Sequence, residues 1–357
     1  MKIDLIAGAR PNFVKIAAII HAIENSENNI EYRLIHTGQH YDESLSGNFF
    51  KDLKLPNADV HLGAGRGSQA QQTAGIMLAY EKVLKNEKPN LCLVVGDVTS
   101  SMACAITAKK MHVKVVHVEA GIRSHDWSMP EEINRVLIDS IADYFFTTTQ
   151  RAKDYLLQTG KEEGQVFFVG NTMIDTLLRF QLHYSQPDIW NKLNLKEKEY
   201  FVLTLHRPNN VDEVKELKLI LSEILKHSKG LPVIFPVHPR TKETLKAIDL
   251  SEYRFHFIDA LGYLEFNYLV RRAKAVLTDS GGITEETTVM KIPCITIRDN
   301  TERPETISFG TNELIGTNPK NIAPILHKLF EGNWKEGTIP EKWDGKAAER
   351  IIEILSM

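Results

Sequence analysis

Short runs rich in Val, Ile and Leu alternate with amphipathic stretches along the whole chain, and no other feature restricts the fold as much. A strand that is apolar at every position must be covered on both faces. Helices inserted between such strands do the covering, so the pattern predicts parallel sheets with helices on both sides. In the first half, strands are expected near residues 2–8, 31–37, 91–95, 113–118, 143–148 and 165–169. Helices fall between them at 11–25, 42–53, 68–87, 98–111, 130–141 and 149–160, and Ser68 with Gln71 spells a capping-box start for the third. The second half repeats the pattern, with strands near 200–205, 233–237, 254–258, 275–278 and 293–297. Its helices are expected at 211–228, 240–248, 263–273, 281–290 and 319–331.

At 357 residues the chain suits two α/β domains rather than one. The expected architecture is two Rossmann-like, doubly wound domains, residues 1–171 and 172–344, with a helix in 345–357 packing back on the first. The change of domain is placed at Gly170-Asn171-Thr172. Open parallel sheets bind ligands beyond the carboxyl ends of their strands, so a cleft between the two sheets is the expected site.

Composition removes several function classes. A formal net charge of −3 gives no basic field for nucleic acid or anionic lipid. An anionic substrate must then be held by local charges and helix ends. Three cysteines, Cys92, Cys104 and Cys294, are too few and too scattered for a disulfide framework or a zinc ribbon. The start of the chain lacks the apolar stretch of a signal peptide, and no run reaches transmembrane length, so a cytoplasmic location is expected.

Four constellations carry chemistry. Gly8-Ala9-Arg10-Pro11-Asn12-Phe13-Val14-Lys15 follows the first strand, with Pro11 suited to a helix start. Neither G-x-G-x-x-G nor G-x-x-x-x-G-K-[ST] occurs, which disfavours a dinucleotide fingerprint and a P-loop. Asp97, Glu119 and Glu131 lie at strand ends or helix starts of the first half. An acid at a helix start often only complements the dipole, and Ser128 to Glu131 also reads as a capping box. Glu119, directly after an apolar strand, is costly unless the site uses it. Third, His206-Arg207 and His238-Pro239-Arg240 each end a strand with a histidine and a cation, suiting a phosphate clamp better than a metal site. Fourth, Asp279-Ser280-Gly281-Gly282 runs from a strand into a helix whose free N–H groups suit a diphosphate. Glu286, one turn on, is placed to accept the hydroxyls of a ribose, and Glu302 and Arg303 follow the next strand. His36 and His256, on apolar runs, are read as structural.

Taken together, these motifs resemble those of the non-hydrolysing UDP-N-acetylglucosamine 2-epimerases. The resemblance extends from Gly8-Ala9-Arg10-Pro11 through Gly96-Asp97, His117-Val118-Glu119-Ala120-Gly121, Pro130-Glu131-Glu132, Gly170-Asn171-Thr172, His206-Arg207 and Asp279-Ser280-Gly281-Gly282 to Glu302-Arg303-Pro304-Glu305. It implies a glycosyltransferase-B fold, a homodimer, and reversible inversion at C2 of a UDP-linked 2-acetamido sugar without NAD or metal, supplying ManNAc-type precursors of cell-surface polysaccharide. It implies acid/base roles for Asp97, Glu119 and Glu131, and a leaving-group role for His206. Arg10 and Lys15 would sit at the sugar–phosphate end, Ser280, Gly281, Gly282 and Glu286 at the diphosphate and ribose, with His238 and Arg303 nearby. After His206-Arg207 the chain continues Pro208-Asn209-Asn210, where many members carry a further Arg and Glu. Gln39-His40-Tyr41-Asp42 also lacks the second Gln of members with an allosteric UDP-GlcNAc site, so activation by substrate is not expected. Three other readings stay open: a 2-epimerase of a UDP-2,3-diacetamido uronic acid, a retaining glycosyltransferase of the same fold, and a nucleotide-sugar sensor without catalysis.

Overall fold

A computed structural model describes residues 1–38, 49–64, 67–248 and 254–357. The chain divides into two compact units, Met1–Arg179 with Glu341–Met357, and Phe180–Pro340. Each is a parallel sheet wrapped by helices, as two Rossmann-like domains require.

In the first unit the strands are β1 (Lys2–Ala7), β2 (Glu31–His36), β3 (Val60–His61), β4 (Leu91–Val95), β5 (Lys114–Val118), β6 (Tyr144–Thr147) and β7 (Val166–Phe168). They lie in the order β3-β2-β1-β4-β5-β6-β7, every pair parallel. β4 is apolar and buried throughout, and β1 is buried beyond Lys2 with Asp4 held by Arg33 and Tyr80, which forces helices onto both faces. Those helices are α1 (Arg10–Asn25), α2 (Gln69–Asn86), α3 (Thr99–Lys110), α4 (Pro130–Ile141), α5 (Gln150–Gln158) and α6 (Thr172–Phe180). The capping box at α2 forms as expected: the Gln71 N–H donates to Ser68 Oγ at 3.3 Å and the Ser68 N–H to Gln71 Oε1 at 2.9 Å. The expected helix at 42–53 lies largely outside the described residues.

The second unit holds β8 (Phe201–Thr204), β9 (Val233–Pro236), β10 (Phe255–Ile258), β11 (Ala275–Thr278), β12 (Cys294–Thr296) and β13 (Asn312–Leu314), in the order β10-β9-β8-β11-β12-β13. All pairs are again parallel. Its helices are α7 (Asp188–Lys192), α8 (Pro208–Val211), α9 (Val214–His227), α10 (Pro239–Leu245), α11 (Tyr263–Arg272), α12 (Gly281–Met290), α13 (Pro304–Ser308) and α14 (Ile322–Phe330). Successive strand residues alternate between two cores: Phe201, Leu203 and Phe235 face α9 and α14, while Val202, Ile234 and Val276 face α11. The helix expected at 211–228 is α9, and it is preceded by a short turn of helix not foreseen, α8, which Pro208 opens in the loop after β8.

After Pro340 the chain rejoins the first unit and ends in α15 (Ala347–Ser356). Trp343 is fully buried there and donates its indole N–H to Thr148 O at 3.1 Å. Asp175 of α6 caps α15 by accepting the N–H groups of Ala347 (3.1 Å) and Ala348 (2.6 Å).

In both sheets the order reverses beside the first strand, between β1 and β4 and between β8 and β11. The loops leaving the carboxyl ends of such a pair turn to opposite faces and open a crevice. Gly8-Ala9 and Gly96-Asp97 flank the first, and Leu205-His206 and Asp279-Ser280 the second.

Candidate active site

The first crevice is built from three βα junctions. Glu119 follows β5 and is 6% exposed, in a left-handed conformation with φ 73° that a residue bearing a Cβ rarely adopts. Its own N–H and that of Ala120 both donate to Phe146 O, at 2.9 and 3.0 Å, which holds the turn in place. The carboxylate meets the ammonium of Lys15, which reaches it from the second turn of α1. Lys15 is thus a buried partner of Glu119, not a solvated cation. Gly96 makes the room: a Cβ at that position would lie 3.4 Å from Lys15 Nζ and 3.5 Å from Glu119 Oε1.

Asp97 follows β4 and is half-buried, its carboxylate bonded to the guanidinium of Arg135 in α4. Asn134 Nδ2 holds the backbone oxygen of Asp97 at 2.8 Å. Arg135 is pinned from behind by Glu132, whose Oε2 lies 2.8 Å from Nη1. Burial would raise the Glu132 carboxyl, but the Ser124 N–H and hydroxyl, Arg135 and the His125 N–H outweigh it and hold it below the ordinary range. Glu131 stands at the start of α4, half-buried, and its carboxylate has no partner among the described residues. The capping box read at Ser128 does not form. Met129 is the N-cap with no side-chain bond, and Ser128 Oγ donates to Asp126 Oδ1 at 2.5 Å instead. Glu131 is therefore not spent on capping its helix. Arg10 is the first residue of α1, and its side chain lies outside the described residues, as do Gln39 to Asp42.

Sequence reading passed over the network that fixes these junctions. His117, inside β5, bonds Asp139 Oδ1 through Nδ1 at 2.6 Å and Gly96 O through Nε2 at 3.1 Å. Asp139 Oδ2 also takes the Gly121 N–H (3.1 Å) and Arg123 Nη2 (2.7 Å). Burial raises the Asp139 carboxyl, yet His117 and Arg123 outweigh it and keep it low. One buried carboxylate thereby ties the turn carrying Asp97 to the turn carrying Glu119. The i,i+4 pair of Asp139 and Arg135 on α4 was the available signal, since two charges on an otherwise amphipathic helix face need partners.

The second crevice is organised by Asp279, which has no exposed surface. Its carboxylate accepts the His206 N–H at 3.0 Å, the Arg207 N–H at 2.9 Å and Asn210 Nδ2 at 3.1 Å, and bonds His206 Nδ1 at 2.7 Å. Burial pushes the carboxyl up, but these contacts outweigh it and hold it below the usual range. With Nδ1 engaged, Nε2 is the His206 ring nitrogen without a partner among the described residues. Asp279 appears in the motif but not among the expected site residues; it is the residue that orients His206. The Arg207 side chain is half-buried, and its Nε has no hydrogen-bond partner among the described residues.

Helix α12 begins at Gly281 with Ser280 as N-cap, no side chain caps it, and no acid lies in its first turn. The first N–H groups of such a helix have no intrahelical partner and present a partial positive charge. Gly281 keeps the helix start open: a Cβ there would lie 2.7 Å from Glu302 Oε1, and the Glu302 side chain would have to shift. Glu302 is balanced by Arg298 Nη2 at 2.8 Å, a cation the sequence reading did not single out. Arg303 is buried, its Nε on Glu285 Oε1 at 2.7 Å. Glu286 is 6% exposed and accepts the Tyr263 hydroxyl at 2.8 Å. Burial pushes its carboxyl up to about 7, against the bond from Tyr263 and with help from the neighbouring Glu285.

His238 is exposed, its ring 5.7 Å from that of His206, and its Nδ1 accepts the Arg240 N–H at 3.2 Å. At this strand end the Arg240 guanidinium has a protein partner. That guanidinium is engaged by both oxygens of Asp212, at 2.7 and 2.6 Å. Among the described residues no group of three or more His, Cys, Asp or Glu could hold a metal ion. No helix among them is long and apolar enough to cross a membrane. Cys92, Cys104 and Cys294 are free and buried.

A model of the family described as UDP-N-acetylglucosamine 2-epimerase matches residues 21–356. The UDP-N-acetylglucosamine 2-epimerase of Methanocaldococcus jannaschii is 42% identical over 370 residues, covering 100% of this chain and 99% of that one. Its crystal structure in complex with UDP-GlcNAc and UDP superposes with a TM-score of 0.90 over 100% of this chain and 99% of that chain, at 42% identity. The UDP-2,3-diacetamido-2,3-dideoxy-D-glucuronate 2-epimerase of Pseudomonas aeruginosa is 38% identical over 361 residues, covering 100% of this chain and 99% of the other. The chain belongs to the UDP-N-acetylglucosamine 2-epimerase family.

Proposed function

We propose that this protein interconverts UDP-N-acetylglucosamine and UDP-N-acetylmannosamine by inverting C2, supplying precursors for polysaccharide. The observation that carries the reading is the presence, in a chain of this family, of three carboxylates at the strand ends and helix start of one Rossmann unit. An uncapped, acid-free helix start and an aspartate-oriented histidine in the other unit add to it. One unit brings proton-transfer groups, the other groups suited to an anionic leaving group.

A C2 proton beside an acetal carbon is not acidic, so removal and return without another bond change is too slow. Elimination solves this. A carboxylate takes the C2 proton, the electron pair forms the C1–C2 double bond, and the C1–O bond breaks with its pair leaving on UDP. Protonated His206 donates through Nε2 to the departing diphosphate, and the N–H groups at Gly281 and Gly282 stabilise its charge. Arg10 and Arg303 belong to the same anionic end. Lys15 instead fixes Glu119. The bound 2-acetamidoglucal then receives a proton at C2 from the opposite face while UDP re-forms the C1–O bond. Two faces need two acid/base groups, and Asp97, Glu119 and Glu131 provide them. Glu286 binds the ribose hydroxyls, and His238 lies near the diphosphate.

We further propose that the enzyme works as a cytoplasmic homodimer. The exposed side chains of Trp127, Ile133 and Leu137 in one segment support an association surface. Light scattering coupled to gel filtration gives the mass; a monomer at micromolar concentration contradicts this part.

The 38% identity to the Pseudomonas enzyme keeps the diacetamido uronic acid nucleotide as a second substrate. Parallel incubations with both UDP-sugars and no added cofactor, followed by proton NMR, test the reading. Accumulation of UDP-ManNAc from the first supports it; conversion of only the second moves the assignment there. Inertness towards both favours a transferase or a sensor.

A further inference from the structure

Of the three carboxylates, Glu119 is fixed by Lys15 on α1, whereas Asp97 and Glu131 both depend on α4. Glu131 stands on the first turn of that helix. Asp97 lies across from it on the β4 loop and is held by two successive α4 residues, its backbone oxygen by Asn134 and its carboxylate by Arg135. Arg135 is 3% exposed, and its second nitrogen is locked by Glu132, itself held by Ser124 N and Oγ at 2.9 Å each and by His125 N at 3.1 Å. A guanidinium is a planar fork, so two bonded nitrogens fix the direction in which it presents a carboxylate. We propose that Arg135 is a positioning residue for epimerisation, setting Asp97 at a fixed distance and orientation from Glu131 along helix α4, with Glu132 as its anchor.

The reason is geometric. Proton transfer at C2 requires an acid/base oxygen within hydrogen-bond reach of one carbon, and small displacements cost orders of magnitude. Asp97 is half-buried at a loop, where a side chain would sample several rotamers without a partner. Arg135 removes that freedom, and it is itself buried between Asp97 and Glu132. Its loss should therefore change kcat and leave KM in place. The inference rests on the acid/base role given to Asp97 above.

The test uses the full chain with Arg135→Met, Arg135→Lys and Asp97→Asn, measuring kcat and KM for UDP-GlcNAc epimerisation and UDP affinity by calorimetry. Arg135→Met should lower kcat by about a hundredfold, with KM and UDP affinity within about threefold of wild type. Arg135→Lys should recover about a tenfold part of that loss by keeping one charged contact. Removing Arg135 strands Glu132 in a buried site, so Glu132→Gln/Arg135→Met is made alongside to give a folded protein without the orphaned charge. A kcat within threefold of wild type in that double variant, or a rise in KM that accounts for the whole loss, overturns the inference. So does the absence of rescue by Lys. Near wild-type turnover in Asp97→Asn overturns the acid/base reading beneath it, a result separate from an inactive Asp97→Asn beside an active Arg135→Met.

Discussion

The two crevices stand at equivalent places, the strand-order reversals of two parallel sheets, yet they are charged in opposite ways. In the first, two of the three carboxylates meet a buried cation, Glu119 with Lys15 and Asp97 with Arg135. In the second, three carboxylates lie on protein partners, Asp279 on His206, Glu302 on Arg298 and Glu285 on Arg303, and the first turn of α12 carries no acid. A doubly wound sheet supplies the crevice, and the residue directly after the strand decides its chemistry. An acid with its own cation gives a carboxylate held in one place, as the proposed proton transfer requires. A Ser-Gly-Gly turn gives a seat for phosphate.

This contrast can be broken by substitution. The largest effect is expected in the first crevice: Glu119→Gln should lower turnover by about 10²–10⁴-fold while UDP affinity stays nearly unchanged. Equal loss of UDP binding in a titration would show that the two crevices do not divide the work. Next, Asp279→Asn should reduce kcat by about a hundredfold, since the amide cannot both accept the His206 Nδ1–H and serve two backbone N–H groups. Unchanged kcat would remove His206 orientation from the account. Gly281→Ala places a methyl 2.7 Å from Glu302 Oε1 and should weaken UDP by about tenfold, leaving the C2 chemistry of bound substrate intact. A variant that binds UDP normally but turns over slowly contradicts it.

The smallest effect concerns pH. Glu286 has a folded carboxyl raised to about 7 from an ordinary 4.5, so between those values the folded state holds a proton that the unfolded state has released. Stability at low pH should then be lost as pH rises through this window, by about 1–3 kcal/mol, and Glu286→Gln should remove that slope. Urea midpoints measured across the window check it; a slope that persists in the variant assigns it to another group.

Much of the fold was legible. The apolar strands at 91–95 and 275–278 matched residue for residue, because complete burial leaves a continuous Val/Ile/Leu signature. Strands β3 and β13 were not foreseen: two and three residues long at sheet edges, they are too short to carry a period. The helices at 130–141 and 281–290 were bounded correctly by Pro130 and by the Gly-Gly turn. At the two crevices, residue types after strands single out Asp97, Glu119 and His206 as candidates, but not their partners. Arg135 for Asp97, Lys15 for Glu119 and Asp279 for His206 come from other elements, and only folding brings them within reach. The same holds for Lys15, which the resemblance places at the sugar–phosphate end and whose ion pair with Glu119 the sequence did not show.

The central claim is that C2 loses and regains its proton while UDP departs and returns. Incubating the enzyme with UDP-GlcNAc in D2O and following proton NMR reads this directly. The account predicts loss of the C2 proton signal in both epimers, at least as fast as UDP-ManNAc appears, with the C3 and C4 protons untouched. UDP-ManNAc forming with full retention of the C2 proton would contradict it.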